Sequence, residues 1–328
     1  MLNLFKKSTN INPYPFIREI KSPVTKEQLV PLDKRCEVVQ FSSPLTDSDH
    51  EKLSKFVRNY PTVSFRVYGH YGKGQLNDLQ FLKYYSFLRE FQVDVFEISS
   101  IDGIEHLPEN LEYLGFGQTR KKFSLNFLGK FKNLRELNIE AHEKDIGVIS
   151  TLANLERVTL RSITLKDLSI LLPLKKLWWL AIKLGGTKNL SIISKINNLK
   201  YLELWMIRGL EDLSPISKLK NLQFLFLQDL KNVKELPDFS ECRNLKRIVL
   251  ENLKGLSDLS PLLTAKNLEE LIVVSGNNFQ PSNFVPLKSH RSLKSVLIGL
   301  GSLKKNDEVN KTLSLPKADY SKLDFKFD

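Results

Sequence analysis

Five histidines, two cysteines and two glycine-rich stretches are the places where this sequence could do chemistry. His50, His70, His106, His142 and His290 show no metal-ligand spacing among themselves. Cys36 and Cys242 stand 206 residues apart, without the paired spacing of a zinc site. Gly69-His-Tyr-Gly72-Lys-Gly74 lacks the Lys-Ser/Thr ending of a phosphate-cradling loop, so it reads as a turn of the chain. Gly185-Gly186-Thr187-Lys188 reads the same way, and His142 reads as a histidine satisfied within a turn. With no nucleophile, base or ligand set, the sequence is expected to be non-enzymatic and to hold no cofactor or metal. What remains is the chemistry of recognition. Trp179, Tyr201, Trp205, Phe224 and Phe226 gather at recurring intervals, with Arg157, Arg161 and Lys183 before them and Val249 and Ile272 after.

Those intervals come from a repeat. The pattern Leu-x-x-Leu-x-Leu, usually preceded by Asn, runs through Asn133-Leu134, Asn154-Leu155, Asn198-Leu199, Asn221-Leu222, Asn244-Leu245 and Asn267-Leu268. Successive first leucines from Leu111 to Leu293 are 21 to 25 residues apart, and weaker units extend upstream through Leu88, Phe65-x-Val67 and Val39-x-Phe41. The alternating pair (Leu202-x-Leu204, for example) is a strand with one face buried. About 15 residues must then return the chain to start a parallel neighbour. In Leu210-Glu-Asp-Leu-Ser-Pro-Ile and Leu256-Ser-Asp-Leu-Ser-Pro-Leu they carry turn chemistry and room for a turn or two of helix. One unit cannot bury its own leucines, but a stack can. The Asn before each leucine is expected to bond backbone groups of the turn into the strand. Upstream, Ser48-x-x-Glu51 predicts a capped helix ended by Pro61, and a second helix is expected over 76–87.

This pattern resembles the leucine-rich repeat family over residues 36–300, and the Leu-x-Asp-Leu-Ser-Pro phrasing is similar to bacterial internalin-type repeats. The resemblance implies an α/β solenoid, with a curved parallel sheet on the concave face and short helices or 3-10 turns on the convex face. About twelve repeats are expected, longer and more helical before residue 88, with caps over 1–35 and 301–328. Leu323-x-Phe325-x-Phe327 is read as a last strand after a short helix around 307–313. The family commonly places Asn at the ninth repeat position. Here that position holds His142, Ile163, Gly185, Ile207, Leu230, Leu253 and Gly276, so apolar packing is expected in its place.

Repeat positions 3, 5 and 7 lie between the buried leucines and point to the concave face. Trp179, Tyr201 and Phe224 share position 3 in consecutive units and form a ladder; Trp205, Phe226, Val249 and Ile272 extend it into an apolar patch. Aromatic rings dominate interface energetics, so this patch is the expected protein-binding site, with Arg157, Arg161 and Lys183 beside it. The same lines of positions put Glu90, Asp94, Glu136 and Glu140 in earlier units.

The 328 residues are 41% apolar and 26% charged, which excludes wholesale disorder. The formal net charge is +12, spread as +3, +6 and +3 over residues 1–100, 101–200 and 201–328. The twelve units place five basic and seven acidic residues on the concave positions, so that face is not a phosphate-tracking groove. The positive charge belongs to the outer surface, with Arg120-Lys121-Lys122 its densest run. Two cysteines suit a reducing compartment, the first residues lack a signal-peptide pattern, and no stretch reaches the ~20 apolar residues of a membrane span. The sequence therefore predicts a cytoplasmic protein-interaction module of bacterial type. An immunity-type protein that neutralises a toxin, or an enzyme inhibitor, is one alternative; binding of RNA or an acidic surface by the basic convex side is another.

Overall fold

The computed structural model describes residues 16–69, 76–318, 320 and 325–328. It forms two compact units, meeting in sequence between Val148 and Ile149. The first contains β1 (Ile17–Ile20), β2 (Val38–Phe41), β3 (Ser64–Gly69), β4 (Glu90–Val95), β5 (Tyr113–Phe116) and β6 (Glu136–Glu140). The second contains β7 (Arg157–Arg161), β8 (Trp179–Lys183), β9 (Tyr201–Trp205), β10 (Phe224–Gln228), β11 (Arg247–Glu251), β12 (Glu270–Val274) and β13 (Ser295–Ile298). Within each unit every strand pairs in parallel with the next in the chain. Short 3-10 helices make the returns, and this is the architecture of a leucine-rich repeat solenoid. β1 lies in the segment read from sequence as a cap.

One repeat shows why the chain folds this way. Leu199, Leu202, Leu204, Ile207, Leu210, Leu213, Ile216 and Leu219 are all buried. Strand alternation points Leu202 and Leu204 inward, and the 3-10 helix Ser214–Lys218 closes over them with Ile216. Each fully buried leucine stabilises by about 1.5–3 kcal/mol, so the repeated apolar positions supply the driving force. Asp212 accepts from the Ser214 N–H, and Asp258 and Asp167 do the same for Ser260 and Ser169. These carboxylates satisfy N–H groups that a helix start leaves open.

The asparagine before each leucine acts between repeats. Nδ2 of Asn198, Asn221, Asn244 and Asn267 donates to backbone carbonyls of Lys175, Asn197, Lys220 and Arg243 in the preceding unit. That differs from the expected bond within its own turn. The ninth position is apolar and buried at Ile163, Ile207, Leu230 and Leu253, as the sequence suggested. Between that position and the strand sits a recurrent left-handed residue. Ala141, Ser162, Leu184, Met206, Asp229, Asn252 and Ser275 have φ between 51° and 59°. This conformation aims each N–H at the next strand: Leu184, Met206, Asp229 and Asn252 donate to the carbonyls of Trp205, Gln228, Glu251 and Val274.

Three local expectations change. The N-terminal helix α1 (Asp47–Val57) is capped by Thr46 and Asp49, not by Ser48 and Glu51. Asp49 receives the N–H of Val24 at 2.7 Å as well as the Ser22 hydroxyl, which fixes the helix start two residues earlier. The second expected helix shrinks to a 3-10 turn, Gln80–Tyr84, because Leu79 and Tyr85 pack inward at its ends. The C-terminal helix α2 (Leu303–Leu313) forms, but Phe325 and Phe327 build no strand after it. Leu323 and residues 70–74 of the glycine-rich stretch lie outside the described residues.

Candidate functional site

In the first unit the outward positions of the strands are joined by polar contacts. Arg66 pairs with Asp94 at 2.7 Å and donates to Gln40 at 3.1 Å. Gln92 donates to Asp94 at 2.6 Å, the Tyr113 hydroxyl donates to Gln92 at 3.0 Å, and Asn138 donates to that hydroxyl at 3.2 Å. Glu19 of β1 accepts from Gln40 and Tyr68. Sequence reasoning missed Glu19 because β1 lacks the leucine pattern. Burial, with Glu136 nearby, raises the Glu90 pKa, and burial pushes the Tyr113 phenol up to about 12. The side chains of this face occupy one another as donors and acceptors. Among the described residues no group of His, Cys, Asp or Glu could hold a metal ion.

Of the histidines among the described residues, His50 and His142 are buried. His142 is buried on Phe116, where Nδ1 accepts from the Phe123 N–H and Nε2 donates to the Gly117 carbonyl. Cys36 and Cys242 are free and buried, and burial raises both thiols, Cys242 to about 12. Arg120 pairs with Glu97 and Lys121 caps the Ser99 carbonyl, so the basic run is an ordinary bonded loop. Gly185 is a place of close approach, since a Cβ there would lie 2.0 Å from the Ile163 carbonyl oxygen.

The second unit brings the aromatic residues together. β8, β9 and β10 pair Trp179 with Tyr201 and Tyr201 with Phe224, as one shared repeat position requires. The Trp179 and Tyr201 rings stack at 3.5 Å, and Phe224 meets Tyr201 edge-on at 5.1 Å. Arg157 lies 4.8 Å over Trp179; Arg161 and Lys183 lie 5.3 Å and 5.9 Å from the Trp205 ring. Lys183 also pairs at 3.0 Å with Glu203, which accepts from the Tyr201 hydroxyl at 2.9 Å. The cations expected beside the patch are therefore held against its rings.

The apolar centre is not open surface. Tyr201, Phe224, Phe226, Val249 and Ile272 are at most 2% exposed. Ala318, Phe325 and Phe327 from the end of the chain pack on them, with Val274 and Leu297 alongside. The Phe325 ring lies 5.2 Å from Phe224, and Phe327 lies 5.2 Å and 5.9 Å from Trp178 and Trp179. Buried Arg247 sits 5.3 Å from both Phe224 and Phe325 and pairs with Glu270. Trp179, Trp205, Arg157, Arg161 and Lys183 stay partly exposed at the border of this cover. The sequence signal for the cover was Phe325-x-Phe327 itself, read as a last strand; both rings pack on the sheet, but no strand forms.

No family model matches the sequence, and no curated protein does. Among solved structures, an internalin (inlF) from Listeria monocytogenes shares the fold with TM-score 0.54 and 16% identity, over 91% of this chain and 89% of that one. Internalin C2 from the same organism aligns at 22% identity and TM-score 0.45, over 59% of this chain and 84% of its own. A leucine-rich repeat protein of Leptospira interrogans aligns at 17% and 0.44, over 89% and 92%. The first of these shares the leucine-rich repeat solenoid fold of this chain. No helix among the described residues is long and apolar enough to cross a membrane.

Proposed function

We propose that this chain is a non-enzymatic protein-interaction module that binds a protein partner on the strand-lined face of its second unit. The observation that carries this reading is the row of aromatic rings on outward strand positions, with cations laid against them. Trp179 and Trp205 are its accessible anchors, and Arg157, Arg161 and Lys183 are the charged groups a partner meets beside them. Tyr201, Phe224, Phe226, Val249 and Ile272 form the floor beneath the C-terminal segment. Rigid aromatic anchors bind at low entropic cost, and a face built on paired strands is already ordered before a partner arrives. Free, buried cysteines suit work in a reducing compartment, and we place it in the bacterial cytoplasm. The test is affinity capture from native cells with wild type and Trp205→Ala. Trp205 is only partly buried, so the variant should keep its fold and lose captured partner at least tenfold. Equal capture by both proteins removes this face as the site.

A further inference from the structure

The C-terminal segment shows what the covered floor accepts. In residues 325–328 the two phenylalanines turn to the sheet, while Lys326 and Asp328 face outward. The segment forms no strand. It is held by the rings of Phe325 and Phe327, by the Asp328 N–H donating to Gln223 at 3.0 Å, and by the Asp328 carboxylate on Lys246 at 2.6 Å. Just beyond it lies a cleft of about 490 Å³ between Trp178, Lys175, Lys176 and Lys200, with Glu156 and Asp328 as its acidic members. Phe327 and Asp328 form one wall of this basic cleft.

We propose that this floor and cleft form a docking groove for an extended protein segment of the pattern aromatic-x-aromatic followed by acidic residues. The chain's own residues 325–328 occupy it as an internal stand-in. This rests on the reading of the second unit as a binding face and names the chemistry of its partner. Two rings fill the places of Phe325 and Phe327, with Arg247 stacked on the first. A backbone N–H meets Gln223, and the acids that follow lie against Lys200, Lys175 and Lys176, which line the cleft. A segment that brings more acid outcompetes the chain's own, because it makes the same ring contacts and adds charge pairing.

The probes are a synthetic peptide of residues 317–328 and the same peptide with three glutamates appended. Both are titrated into the full chain, with tryptophan fluorescence as readout, since Trp178 and Trp179 touch Phe327. The double variant Phe325→Ala/Phe327→Ala releases the stand-in. Its apparent affinity for the peptide should exceed that of wild type at least tenfold, because affinity scales with the fraction of chains whose groove is open. The glutamate extension should bind several-fold tighter still at low salt, and Lys175→Glu/Lys176→Glu should abolish that gain. Asp328→Lys is a second release variant that removes no ring, and it decides the matter if the double variant fails to fold. Absence of saturable binding to either release variant overturns the proposal. So does a wild-type dimer that the peptide dissolves, because the occupant is then a second copy of this chain. If the peptide fails while capture still depends on Trp205, the groove falls and the binding face stands.

Discussion

Acid should weaken the first unit through two buried histidines. His50 lies nearly parallel to Phe81 and Tyr84, with ring centroids 5.2 Å and 5.8 Å away and Nδ1 3.0 Å from the Tyr85 hydroxyl. His142 is buried on Phe116 with both ring nitrogens bonded to backbone. Burial lowers each pKa from 6.5 to about 4; Asp47 and Asp49 partly oppose this at His50, and the Gly117 carbonyl does so at His142. A depressed histidine holds fewer protons in the folded chain than in the unfolded one. Its stabilisation is therefore complete above pH 6.5 and is lost as pH falls toward 4. Between pH 7 and pH 5 the linkage is at most about 2 kcal/mol per histidine, and residual solvent screening reduces it to about 1 kcal/mol each. The assay is urea unfolding of the full chain at both pH values. Hydrogen exchange segment by segment reads it, corrected for the intrinsic pH dependence, with residues 149–328 as internal reference. His142→Asn can accept from Phe123 and donate to Gly117 without titrating, so it should remove about half of the pH effect in residues 16–148. Equal stability of that unit at pH 7 and 5, or an undiminished drop in the variant, would refute the argument.

Two further outcomes follow from backbone geometry. Met206 is left-handed at φ 51° and 44% exposed, so Met206→Asn gives up little packing and suits the conformation better. It should raise stability by about 0.5–1 kcal/mol in thermal or urea unfolding. Gly103 has φ 105°, and a Cβ there would lie 2.2 Å from the Leu79 carbonyl oxygen. Gly103→Ala should cost at least about 2 kcal/mol, measured by the same unfolding, and a change under 0.5 kcal/mol contradicts the close approach.

The repeat was legible because its signal is periodic and apolar, and apolar burial is what drives the fold. Leu202, Leu204 and Ile216 could be placed inside from spacing alone. The exact cap at Thr46 was not, because Asp49 is fixed by Val24 and Ser22, partners over twenty residues away. The left-handed row was hidden for a related reason. Leu184 and Met206 carry no local preference for that conformation, and bonds to the next strand hold them there. For the candidate site, spacing placed Trp179, Tyr201 and Phe224 on one line correctly. It could not say that Phe325 and Phe327, far later in the chain, pack on all three, since such a contact leaves no period in the sequence.

The cover also changes what the net charge of +12 means. On the strands of the second unit Lys183 is matched by Glu203 and Arg247 by Glu270, while Arg157 and Arg161 keep their charge against indole rings. The two ion pairs contribute little long-range field. Lys175 and Lys176, and with them Lys200 and Lys246 around Asp328, stand where strands begin, at the rim of the groove. Rim charges act mainly on encounter rate and its salt dependence, while buried rings act on residence time. An acidic segment would thus be drawn in by the lysines and held by Phe224, Tyr201 and Trp179. Raising the salt should slow its arrival far more than it hastens its departure.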